Sequence, residues 1–392
     1  MRLKKIAAAV LTLMCGAMPF NNAYINDSAV FAEEEYTKGS YDSMWYKNYG
    51  DYIEISDCNE SATEVEIPSE IDGVPVTSIG VAAFDGCDFI SVTIPDSVTS
   101  IGECAFGNCD SLTSLTIPDS VTNIGEAVFI GSELLTTVIL PDSVTSIGAK
   151  AFSECESLTS IIIPGSVTAI EKGMFVGCTS LTSVVIRDGV TVIKEGAFEK
   201  CTSLTSITLP DSITSIEGYA FCDCSALTSI TIPDSVVSIG TEAFYSCDSL
   251  ASITIENPGC EIYDSPYTIS NCYDDYYLTY FDGIICGYDN STAQAHAEKF
   301  NYTFESLGEY VEFLLGDADG DGVVNSSDAS KVLSAYATTA TGGESPLTKV
   351  QIKAADVNCD GAVDSSDASS ILAYYAYIAT GGEGTLEDFL SR

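Results

Sequence analysis

Positive charge is what this 392-residue chain has least of. Its 15 Lys and Arg stand against 57 Asp and Glu, for a formal charge of −42. A surface so short of cations cannot replace the counterions of phosphates, so nucleic acid and anionic membrane surfaces are excluded as leading partners. A single His, His296, and a single Trp, Trp45, leave little equipment for imidazole catalysis. Charged residues make up only 18% while 46% are hydrophobic, and that balance excludes disorder. Long apolar runs are missing too. The one candidate, residues 6–18 behind Arg2, Lys4 and Lys5, is shorter than the ~20 residues a spanning helix needs. It reads as an export signal over residues 1–32, with Val30-Phe31-Ala32 at its end. No membrane span is expected, and the remaining chain, at −44, is expected to be secreted.

What the chain has in abundance is repetition. Phe106, Phe129, Phe152, Phe175, Phe198, Phe221 and Phe244 recur every 23 residues, with Phe84 22 before the first. Ile94, Ile117, Leu140, Ile163, Ile186, Leu209, Ile232 and Ile255 keep the same step of 23. A fixed short period marks a solenoid whose units bury their apolar faces only against their neighbours. In one rung Leu112, Leu115 and Ile117 point inward, Ser114 and Thr116 outward, and Pro118 stops the ladder because it has no N–H to donate. Asp119 turns the chain, Val121 and Ile124 form a second inward segment, and Phe129 closes the loop with a ring in the core. Stacked rungs predict a mainly β solenoid of parallel strands.

Fourteen cysteines follow the signal, and an even number in an exported chain invites disulfides. Seven of them, Cys87, Cys109, Cys155, Cys178, Cys201, Cys224 and Cys247, share one column, with Ser132 in its gap. A column points its side chains one way, so these are read as packed, free thiols. Cys260, Cys272 and Cys286 near the end of the repeats are the better disulfide candidates. The Asp column (Asp96, Asp119, Asp142, Asp188, Asp211, Asp234) repeats one turn position and supplies no converging carboxylate pair. His296 reads as a surface helix residue. The chain is therefore expected not to be an enzyme, the alternative being a site in the Tyr- and Asp-rich residues 263–288. On the outward strand face Ile139, Ile162 and Val185 interrupt a column of Thr, a local apolar patch that can take a ligand.

The blocks of the form A-F-x-x-C-x-S-L-T-S-I-T-I-P-D-S-V-T-S-I-G, for example residues 220–240, resemble the BspA-like class of bacterial leucine-rich repeats. Tyr52 to Pro68 and Ile71 to Ile79 are similar to that family's opening turns, and Gly287 to Glu298 to its closing cap. The resemblance implies a leucine-rich-repeat fold and a binding surface, without naming its ligand.

Composition changes after residue 313. Asp317, Asp319, Asp321, the Val323 carbonyl, Asn325 and Asp328 occupy positions 1, 3, 5, 7, 9 and 12 of a calcium loop, with Gly322 at position 6. Asp356, Asn358, Asp360, the Ala362 carbonyl, Asp364 and Asp367 repeat it 39 residues later, so two calcium ions are expected. Each loop runs into an apolar helix, whereas an EF-hand also has one before the loop and ends in Glu. This loop–helix duplication resembles the dockerins, in particular those of ruminococci, which plug proteins onto the cohesins of cellulosome scaffolds. The resemblance implies an all-α domain with cohesin contacts at Ser326, Ser327, Lys331 and Val332 and at Ser365, Ser366, Ser370 and Ile371. Near-identity of the two copies leaves two readings, docking in two orientations or selection of one by Lys331 against Ser370. The expectation is a solenoid over 33–310, a dockerin over 311–392, and an extracellular, non-catalytic cellulosome component. Its solenoid would bind an unknown protein or carbohydrate, as a cell-surface adhesin in the alternative.

Overall fold

The structure, a computed structural model, describes residues 36–59, 62–273, 279–310, 314–358 and 360–391. The expected signal lies outside them. Each 23-residue step lays down two short strands. The longer ladder includes Glu64–Glu66, Ser91–Thr93, Ser114–Thr116, Thr137–Ile139, Ser160–Ile163 and Ser183–Ile186, then Ser229–Ile232, Ser252–Ile255, Ile284–Gly287 and Thr303–Ser306. Neighbours pair in parallel one repeat apart, so Thr137 lies beside Ser160 and Ser160 beside Ser183. A second ladder of two-residue strands runs from Ser100–Ile101 to Glu261–Ile262, also in parallel. The burial alternates with period two along each strand, which is why Ser and Thr face water while Leu, Ile and Val fill the interior.

The Phe column is the spine of that interior. Phe84 to Phe244 are fully buried, and successive rings stack with centroids 5.2–5.8 Å apart. Offset stacking adds to the burial of each ring. Beside it runs a thiol ladder. Cys155, Cys178, Cys201, Cys224 and Cys247 each donate Sγ–H to the Phe carbonyl of the preceding rung at 3.1–3.3 Å, and Cys109 does so to Phe84. Ser132 fills the gap with the same bond, Oγ to the Phe106 carbonyl at 2.8 Å.

Three cysteine expectations need correction. Cys87 is not free: it forms a disulfide with Cys58. It stands in the first rung, where no preceding Phe carbonyl exists to take its thiol, and the strand Ile53–Cys58 of the opening cap lies there instead. Cys260 and Cys286 are free thiols, Cys286 facing outward on the strand Ile284–Gly287. The side chain of Cys272 is outside the described part.

Both ends of the solenoid are closed. Antiparallel strands Thr37–Tyr41, Met44–Asn48 and Ile53–Cys58 cover the first rung. At the other end α1 (Thr292–Phe300), capped by Ser291, packs Ala293, His296 and Ala297 inward. His296 is therefore a core residue and not a surface one; only 6% of it is exposed. It lies against Phe300 and Tyr302, and burial pulls its pKa down to about 4.

After the solenoid come α2 (Ser326–Ala340), α3 (Lys349–Ala355), α4 (Ser365–Ala379) and α5 (Leu386–Leu390). Ala329, Val332 and Ala335 of α2, Ala368 and Ile371 of α4 and Leu386 of α5 form a second, separate apolar cluster. Among the described residues no helix is long and apolar enough to cross a membrane.

Candidate functional site

The two acidic loops fold alike because the sequence prescribes the same turns twice. Gly322 and Gly361, at position 6, hold φ of 86° and 83°, a left-handed conformation in which a side chain would be strained. In the first loop Asp317 accepts the N–H groups of Gly320, Asp321 and Gly322 at 2.8–3.0 Å. In the second, Asp356 accepts those of Asp360 and Gly361 at 3.1 and 2.9 Å. Asp321 and Asp360 each accept from the amide two residues on. These bonds wrap the backbone of each loop around its first carboxylate.

Positions 9 and 12 do double duty. Asn325 and Asp364 are the N-caps of α2 and α4, and Asp328 and Asp367 are the reciprocal partners of both capping boxes. Asp328 and Asp367 are completely buried. Burial pushes both carboxyls up, and the amides of Asn325 and Asp319, or of Asp364, Asn358 and Val357, pull them part of the way back. Buried carboxylates with spare lone pairs are costly unless a cation takes them up.

The residues fit calcium. Oxygens of Asp317, Asp319 and Asp321 lie within 4.8 Å of one another, a hard-oxygen cluster that like-charge repulsion opposes until a divalent ion bridges it. The second loop presents Asp356, Asn358 and Asp360 through equivalent bonds, with Asn358 also donating to Asp360 at 2.9 Å. The expected ligand positions recur at the same places in the two loops. Cys359, a non-ligand position within the second loop, lies outside the described residues.

The expected docking surface is only partly at the surface. Ser326, Ser327, Ser365 and Ser366 are exposed at the helix starts, and Lys331 and Ser370 are half-buried one turn on. Val332 and Ile371 are not available: both are 0% exposed, packed between α2 and α4. The phase of the helix turns the next residue outward. Leu333 and Leu372, and Tyr336 and Tyr375 three residues further, are the exposed apolar side chains of these faces. Their spacing of 39 residues, and of three within each pair, was legible as a helical stripe once the inward stripe was set by Asp328 and Asp367.

On the solenoid, Ile139, Ile162 and Val185 lie side by side on adjacent strands and are each about half exposed. Arg187 and Asp142 form an ion pair at 2.6 Å across the same three rungs. The intervening rung has Gly165 where others have Asp, and a Cβ there would meet the Asp188 carbonyl. Residues 263–273 and 279–288 belong to the closing end of the solenoid. Asn271 is buried and donates to the Leu250 carbonyl and to Asp282, while Tyr263, Tyr267 and Tyr280 are exposed and scattered. Residues 274–278 of that stretch lie outside the described part.

Comparison with known proteins identifies both parts. A family model described as BspA type leucine rich repeat region (6 copies) matches residues 77–204 and 168–274. A dockerin type I domain model matches residues 315–374. A leucine-rich repeat protein from Bacteroides ovatus is 31% identical, with 66% of this chain and 71% of that one covered at a TM-score of 0.50. A leucine rich cell surface protein from Faecalibacterium prausnitzii is 27% identical over 72% of this chain and 97% of that one, with a TM-score of 0.43. No curated protein matches the chain. The matched domains are non-catalytic. Dockerin type I domains bind calcium and imply a cohesin partner in a cellulosome-like assembly, and leucine-rich repeats imply protein interaction.

Proposed function

This chain belongs to the BspA-type leucine-rich-repeat family and carries a dockerin type I domain, and from that premise we propose that it is a secreted, non-catalytic component of a cellulosome. The dockerin takes up two calcium ions, one in each loop, and binds a scaffold cohesin. The solenoid carries a protein or carbohydrate ligand, with Ile139, Ile162 and Val185 as its contact patch. The observation that carries this reading is the duplication of loop, cap and exposed stripe together. Ser326, Ser327, Leu333 and Tyr336 in one copy match Ser365, Ser366, Leu372 and Tyr375 in the other, residue for residue. Small hydroxyls around a few apolar anchors suit a flat protein partner. Two equal faces give cohesin a choice of two orientations, with Lys331 against Ser370 as the main difference.

Titration calorimetry against a panel of cohesins tests it. Wild type is expected to bind one of them in calcium and to lose the interaction in chelator and in the double variant Asp317→Ala, Asp356→Ala. Leu333→Ala with Tyr336→Ala, or Leu372→Ala with Tyr375→Ala, leaves one face intact and is expected to retain binding; all four together abolish it. Binding indifferent to chelator, or no cohesin partner at all, overturns the assignment.

A further inference from the structure

One charged contact joins two parts of the chain that no repeat or motif connects. Lys353, on α3, places its Nζ 2.6 Å from Asp234 and 3.9 Å from Glu256 of the solenoid. Asp234 is the turn carboxylate of its rung; Asp211 and Glu256 stand in the rungs on either side. Burial pulls the Lys353 ammonium down, but the bond and charge of Asp234, with Glu256 and Asp211, outweigh it and hold its pKa up.

The position of α3 is what gives this contact meaning. Its C-cap is Asp356, the first ligand position of the second loop. Its Ala354 carbonyl accepts the N–H of Gly316, the residue before Asp317, at 2.7 Å. The helix is therefore bonded to the start of both loops. Charge works the same way. Residues 311–392 carry thirteen carboxylates and four cations, a charge of −9 set beside a solenoid that is itself acidic. Two calcium ions reduce it to −5 and so weaken the repulsion between the two parts.

We propose that the calcium-binding domain is seated on the edge of the solenoid, with Lys353 in the carboxylate row of Asp211, Asp234 and Glu256, and that calcium in the loops closes this seat. The proposal rests on the reading of both loops as calcium sites. A single part-exposed ion pair is weak on its own. Here ten residues separate the last solenoid strand, ending at Ser306, from Asp317, and so short a tether gives an effective concentration on the order of mM. A weak contact is populated under such tethering. Its consequence is geometric: the cohesin-facing helices and the solenoid's ligand face are held in one fixed relation, where a free linker would leave them to swivel.

Small-angle scattering and carbodiimide cross-linking of the full chain, in calcium and in chelator, test the seat. In calcium, wild type is expected to give a Lys353–Asp234 or Lys353–Glu256 cross-link and a compact profile. Chelator, or ~1 M salt, at which the Debye length is about 3 Å, should cut the cross-link at least tenfold, and Lys353→Glu, which has no amine to couple, should extend the particle. The swap Lys353→Glu with Asp234→Lys should restore compaction. Circular dichroism runs alongside, since a domain that calcium does not fold would fail the calcium reading rather than the seat. Identical scattering for wild type and Lys353→Glu in calcium, with no cross-link, overturns the seat. A cross-link equally abundant in chelator overturns its calcium control.

Discussion

Ser132 explains the thiol column better than any cysteine in it. Both side chains do the same thing, donating one hydrogen bond to the Phe carbonyl of the preceding rung. Sequence alone led to packed thiols through column logic, yet could not show why sulfur is tolerated there, since the partner is backbone from 26 residues earlier. The same ladder makes stability depend on alkalinity. Burial pushes Cys178 up to about 12 and holds Cys109, Cys155, Cys201, Cys224 and Cys247 higher than a free thiol. A folded pKa above the unfolded one means the unfolded chain loses its protons first. Stability is then full below pH ~8.5, the pKa of an unfolded thiol, and lost as pH rises above it, at about 1.4 kcal/mol per thiol per pH unit. Six such thiols act together. The urea midpoint is expected to hold between pH 7 and 8 and to drop steeply by pH 10. A flat midpoint across that range would remove the thiols from the stability account.

Single strands are too short to mean anything alone, and it is their register that makes an element of this protein. The outward columns were legible because period two within the strand and period 23 between strands locate every side chain at once. The helices of the calcium-binding domain offered less. The dockerin resemblance pointed to Val332 and Ile371, but only packing of α2 on α4 fixes the phase, and it sends those two inside and Leu333 and Leu372 out. Nothing periodic linked Lys353 to Asp234, 119 residues apart. For the solenoid face, the row Ile139–Ile162–Val185 is separable from the fold. Thr is as good a strand former as Val or Ile, and the three side chains give up little burial on replacement. Changing all three to Thr is expected to leave melting within about 2 °C, since exposed substitutions stay within about 0.5 kcal/mol. Capture of plant-wall polymers and secreted proteins by the full chain should fall at least tenfold. Equal capture by the variant would move the ligand surface elsewhere.

At the scale of the whole molecule, the solenoid is a one-dimensional stack whose stability is a sum over rungs and the interfaces between them. Its caps differ in kind: the opening one is a β cover stapled by Cys58–Cys87, the closing one a helix over the last rungs. What lies between them is interchangeable, and that can be measured. Deleting residues 114–136 removes one full 23-residue step, including Phe129 and Ser132, and joins Thr113 to Thr137. Phe106 then stacks on Phe152, and every remaining column meets a neighbour of its own kind. The cost is one rung and one interface out of several, so the variant should unfold cooperatively with a melting point lower by a few degrees. The particle should shorten by about 5 Å, the spacing of adjacent strands. Deleting residues 114–125 removes a similar class of residues but only half a turn. That leaves the Phe column, the thiol ladder and both strand ladders without partners across the junction. Each orphaned carbonyl there costs about 1–3 kcal/mol, more in sum than a marginally stable chain can lose. A half-rung variant that folds as well as the full-rung one would show that the columns do not set the register.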